Sequence, residues 1–190
     1  MIGYKTSTLG SICLMGALLF AHAAGQEYRN PVIRGMNPDP SMIRVGSECF
    51  LTMSSFEYFP SCPVSHSFDL VHWERIGYAL SRPEQFAALH SEDPSTYACT
   101  LRYHAGRFYA LTTEVRGGGN FLVSATDPVG PWSDPVAIDH GMFDPSLFFD
   151  DDGKVYYTRR GPRIGENIGN APPADFNWFD YKVKEDSEEK

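Results

Sequence analysis

Asp39-Pro40-Ser41-Met42-Ile43-Arg44, leading through Gly46 to Phe50-Leu51-Thr52, comes back later in the chain. The second copy is Asp144-Pro145-Ser146-Leu147-Phe148-Phe149, leading through Gly153 to Val155-Tyr156-Tyr157-Thr158. Between them lies Thr100-Leu101-Arg102-Tyr103-His104-Ala105-Gly106-Arg107-Phe108-Tyr109-Ala110-Leu111-Thr112, the same hairpin with no leading aspartate. Short apolar runs on either side of a glycine turn read as paired antiparallel strands. A repeat of about 50 residues built from such pairs is the signature of a β-propeller, with one four-stranded blade per repeat. The expected fold class is all-β. Two copies open on a carboxylate and one does not, so the aspartates need a reason beyond folding.

Strands are expected near 41–45, 48–54, 62–67, 99–104, 107–113, 120–126, 146–150 and 154–159, and no segment keeps a helical period. The second half of the repeat also recurs. Ser65-His66-Ser67-Phe68-Asp69-Leu70-Val71-His72-Trp73 parallels Ser124-Ala125-Thr126-Asp127-Pro128-Val129-Gly130-Pro131-Trp132. In each, an Asp turn precedes a tryptophan expected to plug between blades as core. A third Asp-Pro-Ser, Asp93-Pro94-Ser95, reads as a loop turn. Asp150-Asp151-Asp152-Gly153 lacks the spacing of a calcium loop and reads as a hairpin turn. Gly117-Gly118-Gly119 follows no strand-to-helix pattern and reads as a flexible loop, not a phosphate cradle.

The ends differ from this body. Lys5, the apolar stretch Leu9 to Phe20 and Ala21-His22-Ala23 have the layout of a secretory signal peptide over residues 1–24, too short for a membrane anchor. Secretion to the cell exterior is the expectation. Its removal takes Lys5 from the 16 basic residues and none of the 24 acidic ones, moving the net charge from −8 to 15 − 24 = −9. Such acidity disfavours nucleic acid and anionic lipid as partners and suits an enzyme acting on a neutral polymer. Cys49, Cys62 and Cys99 would allow one disulfide in an oxidising compartment or remain three core thiols. No metal-ligand spacing joins them to the histidines, and no cofactor is expected.

Past Gly161 the texture changes. Residues 162–177 are rich in Gly, Pro, Asn and Ala, and 180–190 form a charged run, so 162–190 reads as an atypical, poorly ordered tail. Residues 25–161 supply roughly two and a half blades where closed propellers have about four to eight.

The residues carry a family resemblance. Asn30-Pro31-Val32-Ile33-Arg34-Gly35-Met36-Asn37-Pro38-Asp39-Pro40-Ser41, then Leu51-Thr52-Met53-Ser54-Ser55-Phe56-Glu57-Tyr58-Phe59-Pro60, resemble glycoside hydrolase family 43, in particular its β-xylosidases and α-L-arabinofuranosidases. Val64 to Gly77 and Phe143-Asp144-Pro145-Ser146-Leu147-Phe148-Phe149-Asp150-Asp151-Asp152-Gly153 continue the likeness in the family's order. The resemblance covers about residues 28–161 and implies a five-bladed β-propeller, of which this chain holds the first two to three blades. It places Asp39 at the general base and Asp144 at the aspartate that tunes and orients the acid. Phe56, Tyr97 and Ala98 fall on the wall of the sugar pocket. The implied partner is an oligosaccharide or polysaccharide derived from xylan or arabinoxylan.

Inverting hydrolysis needs one carboxylate to deprotonate water and one carboxylic acid to protonate the leaving oxygen, about 6.5–9.5 Å apart. A third carboxylate near the acid raises that acid's pKa by like-charge repulsion. In the family the acid is a glutamate on a later blade, in a Glu-Gly-Pro-His-like context. No such motif occurs in this chain, and Glu166 in Arg163-Ile164-Gly165-Glu166-Asn167 does not match it. Two readings follow: a secreted glycosidase of xylosidase or arabinofuranosidase type, or a truncated, inactive fragment with at most weak sugar binding. A kelch- or WD-type interaction propeller is disfavoured, because the glycine and tryptophan signatures of those repeats are missing.

Overall fold

The computed structural model describes residues 28–89, 95–140 and 143–160, in which all sheet is antiparallel. Strands β1 (Ser41–Val45), β2 (Glu48–Thr52), β3 (Ser61–Ser67) and β4 (Glu74–Leu80) form a meander paired in chain order. A one-turn helix, α1 (Pro83–Ala87), leads to a second meander. It comprises β5 (Thr96–His104), β6 (Arg107–Glu114), β7 (Gly119–Ala125) and β8 (Val136–Asp139). The hairpin of β9 (Ser146–Phe149) and β10 (Val155–Thr158) opens a third unit. Two blades and half of another match the count made from the repeat. The expectations missed β4, β8 and α1, and they started β5 three residues late because a bulge interrupts its pairing between Tyr97 and Thr100.

Strand β1 packs against β5, and β5 against β9, so the first strands of successive units line one axis. Hairpin register makes the units comparable residue by residue. Val45 pairs with Glu48 across one two-residue turn, and His104 pairs with Arg107 across the other. Counting back from these turns matches Ser41 with Thr100, Ile43 with Arg102, and Asp39 with Ala98. The Asp-Pro-Ser repeat adds Ser146, Phe148 and Asp144 at the same three positions.

The second blade is buried on both faces, and the strand period of two explains how one sheet feeds two cores. Ala110, Phe121 and Val123 point toward the first blade, joining Phe50, Val64, Leu80, Phe86 and Trp132. Their neighbours Leu111 and Leu122 point the other way, with Ile138, Leu147, Val155 and Tyr157. Both leucines are fully buried, and each such side chain contributes about 1.5–3 kcal/mol. Polar clamps hold the seams. Fully buried Gln85 accepts from Ser81 N and Arg82 N through Oε1, and its Nε2 donates to Ala79 O and Ser133 O.

Two expectations need correction. Trp132 is core, but Trp73 is only half-buried and lines a surface groove with Val32, His66 and Phe68. The indoles are anchored alike, Trp73 to Leu70 O and Trp132 to Pro128 O, each the residue after the turn aspartate. Trp132 packs back onto the preceding blade. Trp73 faces the open side of β1–β4, where no described residue supplies a neighbouring blade. The loop before Gly119 is not slack: buried Glu114 accepts from the backbone amides of Ser95, Arg116 and Gly118. Gly119 itself has φ +70, and a Cβ there would run into Asp139 O.

The signal-peptide segment, Asp93, Glu166 and the tail lie outside the described residues. Among the described residues, no helix is long and apolar enough to cross a membrane. Cys49, Cys62 and Cys99 are buried free thiols.

Candidate active site

Asp39 and Asp144 each stand two residues before an inner strand, β1 and β9, and both have positive φ, 52° and 64°. Ala98, their counterpart in the second blade, has φ 36°. One unusual backbone conformation thus recurs at the same place in three consecutive blades. Aspartate tolerates positive φ better than most residues; alanine does not, and strain of this kind concentrates at functional sites. The side chains presented in blade order are carboxylate, methyl and carboxylate. Both aspartates are exposed.

The first carboxylate is fixed by the chain leaving β2. Ser54 Oγ donates to Asp39 Oδ2 at 2.6 Å, and Ser54 N donates to Pro38 O at 3.0 Å. Ser54 is itself buried. One oxygen of Asp39 is therefore held, leaving Oδ1 for another partner.

Two residues on, the chain crosses to the second blade. Phe56 and Thr96 exchange backbone hydrogen bonds, both at 3.0 Å. Phe56, with φ 50°, sets its ring edge-on to Tyr97 at 4.9 Å between centroids. Tyr97 also meets Phe143 at 6.0 Å, and Phe143 directly precedes Asp144. From Asp39 the path runs by hydrogen bond to Ser54, along the chain to Phe56, by ring contacts to Tyr97 and Phe143, and along the chain to Asp144. Aromatic side chains of this sort offer apolar faces to the C–H side of a sugar ring.

Beneath the wall lie the thiols of Cys62 and Cys99, within hydrogen-bonding contact of each other. Burial, reinforced by the Cys99 thiol, holds Cys62 well above the usual thiol pKa. They are inert filling, not nucleophiles.

Behind the strand starts, Arg102 bridges the blades. Its Nη2 donates to Ser146 Oγ at 2.7 Å and its Nε to Leu147 O at 2.7 Å, while Nη1 reaches Ser41 Oγ at 3.5 Å.

The structure brings Phe56, Tyr97 and Ala98 into one neighbourhood with Asp39 and, through Phe143, with Asp144. Ser54, Phe143 and Arg102 were not singled out from sequence. Phe143 had a signal in its place beside the repeated Asp-Pro-Ser. Ser54 and Arg102 had none short of knowing the blade packing.

Comparison with known proteins agrees with this architecture. The family model for glycosyl hydrolases family 43 matches residues 28–174. The chain belongs to this family. A non-reducing end α-L-arabinofuranosidase of Bacteroides ovatus is 51% identical over 139 residues, 70% of this chain and 26% of the relative. A xylosidase/arabinosidase of Butyrivibrio fibrisolvens is 46% identical over 136 residues, 70% of this chain and 26% of the relative. The family 43 likeness holds in three dimensions. The crystal structure of a xylan β-1,4-xylosidase from Bacillus halodurans superposes with TM-score 0.63 at 34% identity, covering 77% of this chain and 30% of that one. The chain spans about a quarter of the length of the curated family 43 relatives it matches.

Proposed function

We propose that this chain contributes the general base, the acid-tuning aspartate and part of the sugar-binding wall of an inverting exo-glycosidase. Its substrates would be xylose- or arabinose-terminated oligosaccharides from xylan or arabinoxylan. The observation that carries the reading is the path of one hydrogen bond, two ring contacts and short chain links that joins Asp39 to Asp144. Residues scattered from 39 to 144 converge on one aromatic-lined neighbourhood, with an exposed carboxylate at each end.

Asp39 is the general base. With Oδ2 held by Ser54, Oδ1 is free to accept a proton from a water that attacks the anomeric carbon. The C–O bond to the leaving group breaks on the opposite face, which inverts the anomeric configuration. Asp144 serves the proton donor, keeping it protonated through like-charge repulsion. The donor itself is not assigned to any of the described residues. Phe56, Tyr97 and Phe143 seat the terminal ring, and the small Ala98 leaves room between the two carboxylates. Secretion fits an enzyme that meets plant polysaccharide outside the cell.

The deciding experiment is stereochemical. With residues 28–160 set in place of the matching segment of the Bacteroides ovatus arabinofuranosidase, proton NMR of the first product formed from an aryl α-L-arabinofuranoside should show the inverted anomer. A retained anomer as first product would overturn the assignment of Asp39 as base.

A further inference from the structure

Arg102 occupies, in the inner strand of the second blade, the place that Ile43 fills in the first and Phe148 in the third. Ile43 packs into the core against the next blade. A half-buried guanidinium in such a seam loses hydration that a hydrocarbon never had, and burial holds Arg102 below the usual arginine pKa. Something must offset that loss, and the hydrogen bonds show what. Nε donates to Leu147 O at 2.7 Å, Nη2 to Ser146 Oγ at 2.7 Å, and Nη1 to Leu101 O at 2.8 Å and to Ser41 Oγ at 3.5 Å. All four acceptors are uncharged, and among the described residues Arg102 has no carboxylate partner.

Ser41 and Ser146 are the last residues of the two Asp-Pro-Ser copies, each two positions after an aspartate of the candidate site. The residue between is Pro40 or Pro145, whose ring fixes φ and makes a stiff link from serine to aspartate. Ser41 Oγ also accepts from Leu101 N at 3.0 Å, the residue beside Arg102. We propose that Arg102 is a positioning residue that sets the spacing of Asp39 and Asp144 by gripping both Asp-Pro-Ser segments in one rigid fork. This rests on the reading of those aspartates given above. A planar guanidinium directs several donors at once along fixed lines, which a lysine ammonium cannot do. Asp39 must meet the attacking water and Asp144 must stand near enough to the proton donor to repel it, and a misplacement of about 1 Å can cost on the order of 10²-fold in rate.

The test has two arms. In the 190-residue chain, amide hydrogen exchange is compared for the native sequence, Arg102→Lys and Ser146→Ala. Arg102→Lys should speed exchange at least about 10-fold in both Asp-Pro-Ser segments while β6 and β7 keep their protection. Ser146→Ala, a milder change, should loosen the start of β9 and leave Ser41-Met42 as it was. Loosening of one segment alone by Arg102→Lys, or a uniform loss across both blades, overturns the proposal. In the second arm, residues 28–160 replace the matching segment of the Bacteroides ovatus arabinofuranosidase. Arg102→Lys and Arg102→Gln should both lower kcat by about 10- to 100-fold with KM within about 3-fold, so that restoring the charge gives no rescue. Unchanged kcat in both variants, where Asp39→Asn is inactive, sinks the positioning role alone. Activity retained in Asp39→Asn sinks the underlying assignment instead. The exchange arm decides the grip on the two segments whether or not the chimaera turns over.

Discussion

Ser54 Oγ lies 2.6 Å from Asp39 Oδ2, joining residues 15 apart in sequence and pinning one oxygen of an otherwise exposed carboxylate. On the proposed reading of Asp39 as general base, a hydroxyl that orients it acts on the rate more than on binding. Ser54→Ala should therefore lower kcat about 10-fold with little change in KM, in line with a charge-assisted hydrogen bond of about 1.5 kcal/mol. Ser54→Thr, which keeps the donor, should recover much of the loss. Steady-state kinetics on an aryl glycoside, in the chimaera described above, checks both. Equal damage from the two variants would point to packing and away from the hydroxyl.

On the proposed roles, base for Asp39 and tuner of the donor for Asp144, the two aspartates should fail differently. Asp39→Asn removes the base and should cost on the order of 10²–10⁴-fold in kcat. Asp144→Asn removes the repulsion that keeps the proton donor protonated, so the donor's pKa falls. Because the donor works in its protonated form, the alkaline limb of the pH–rate profile moves to lower pH. A full kcat/KM profile for each variant reads this. An Asp144→Asn profile with an unmoved alkaline limb would remove the tuning role.

Ala98 carries the position of Asp39 and Asp144 in the blade between them, at positive φ like both. Ala98→Leu should fill the space between the carboxylates and also strain the backbone. KM should rise at least about 10-fold, and Ala98→Gly should stay near the native value because glycine accepts that φ. Measuring KM for an aryl xyloside in both variants distinguishes lost space from lost stability.

The equivalence of Ala98 with the aspartates shows where sequence reading succeeds and where it stops. The Asp-Pro-Ser copies at 39 and 144 and the three hairpins were legible because each inner hairpin pairs apolar runs around a tight turn. The triplet at Asp93 reads as a loop turn, and Asp93 lies outside the described residues; Ala98, placed on the pocket wall by the family resemblance, holds the structural position in the second blade, as counting back from the Ala105-Gly106 turn shows. Strands β4 and β8 escaped because outer strands are half-exposed and carry little alternation. Helix α1 escaped because one turn is too short to show a 3.6-residue period. Trp73 and Trp132 follow the same local motif, yet one is core and the other lines a groove. What separates them is which side has a neighbouring blade, a tertiary fact that no local pattern records. Arg102 was invisible for the same reason, since both serines it grips are distant in sequence.

The seam between the second and third units should depend on one buried ion pair. Arg159 Nε donates to Asp139 Oδ2 at 2.6 Å, with side-chain exposures of only 14% and 7%. Asp139 Oδ1 also accepts from Asn120 Nδ2 at 2.6 Å and from Tyr157 Oη at 3.2 Å, tying β7 and β8 to β10. Arg159→Met takes the positive charge from beside a buried carboxylate, so it should destabilise by about 3 kcal/mol. Arg82 and Asp134, paired at 2.7 Å but largely exposed, should give less than about 1 kcal/mol for the matching change. Urea unfolding of the two variants side by side tests the contrast.

Cys62 gives a pH prediction whose sign follows from its surroundings. Burial and the neighbouring Cys99 thiol raise its pKa in the folded chain, whereas the unfolded chain exposes an ordinary thiol titrating near 8.5. The folded state therefore keeps a proton that the unfolded state releases. Below about pH 8.5 this group leaves stability independent of pH. Above it stability falls with rising pH, at up to about 1.4 kcal/mol per pH unit for one proton, until the folded-state thiol also ionises. Denaturant unfolding at pH 7, 9 and 10 should show the decline, and Cys62→Ala, though less stable overall because of the space it leaves, should show a shallower slope. In the same range native Cys62 should resist iodoacetamide and become alkylated only on unfolding, as peptide mass spectrometry would record. Rapid alkylation of Cys62 in the folded chain at pH 9 would contradict a protonated, enclosed thiol.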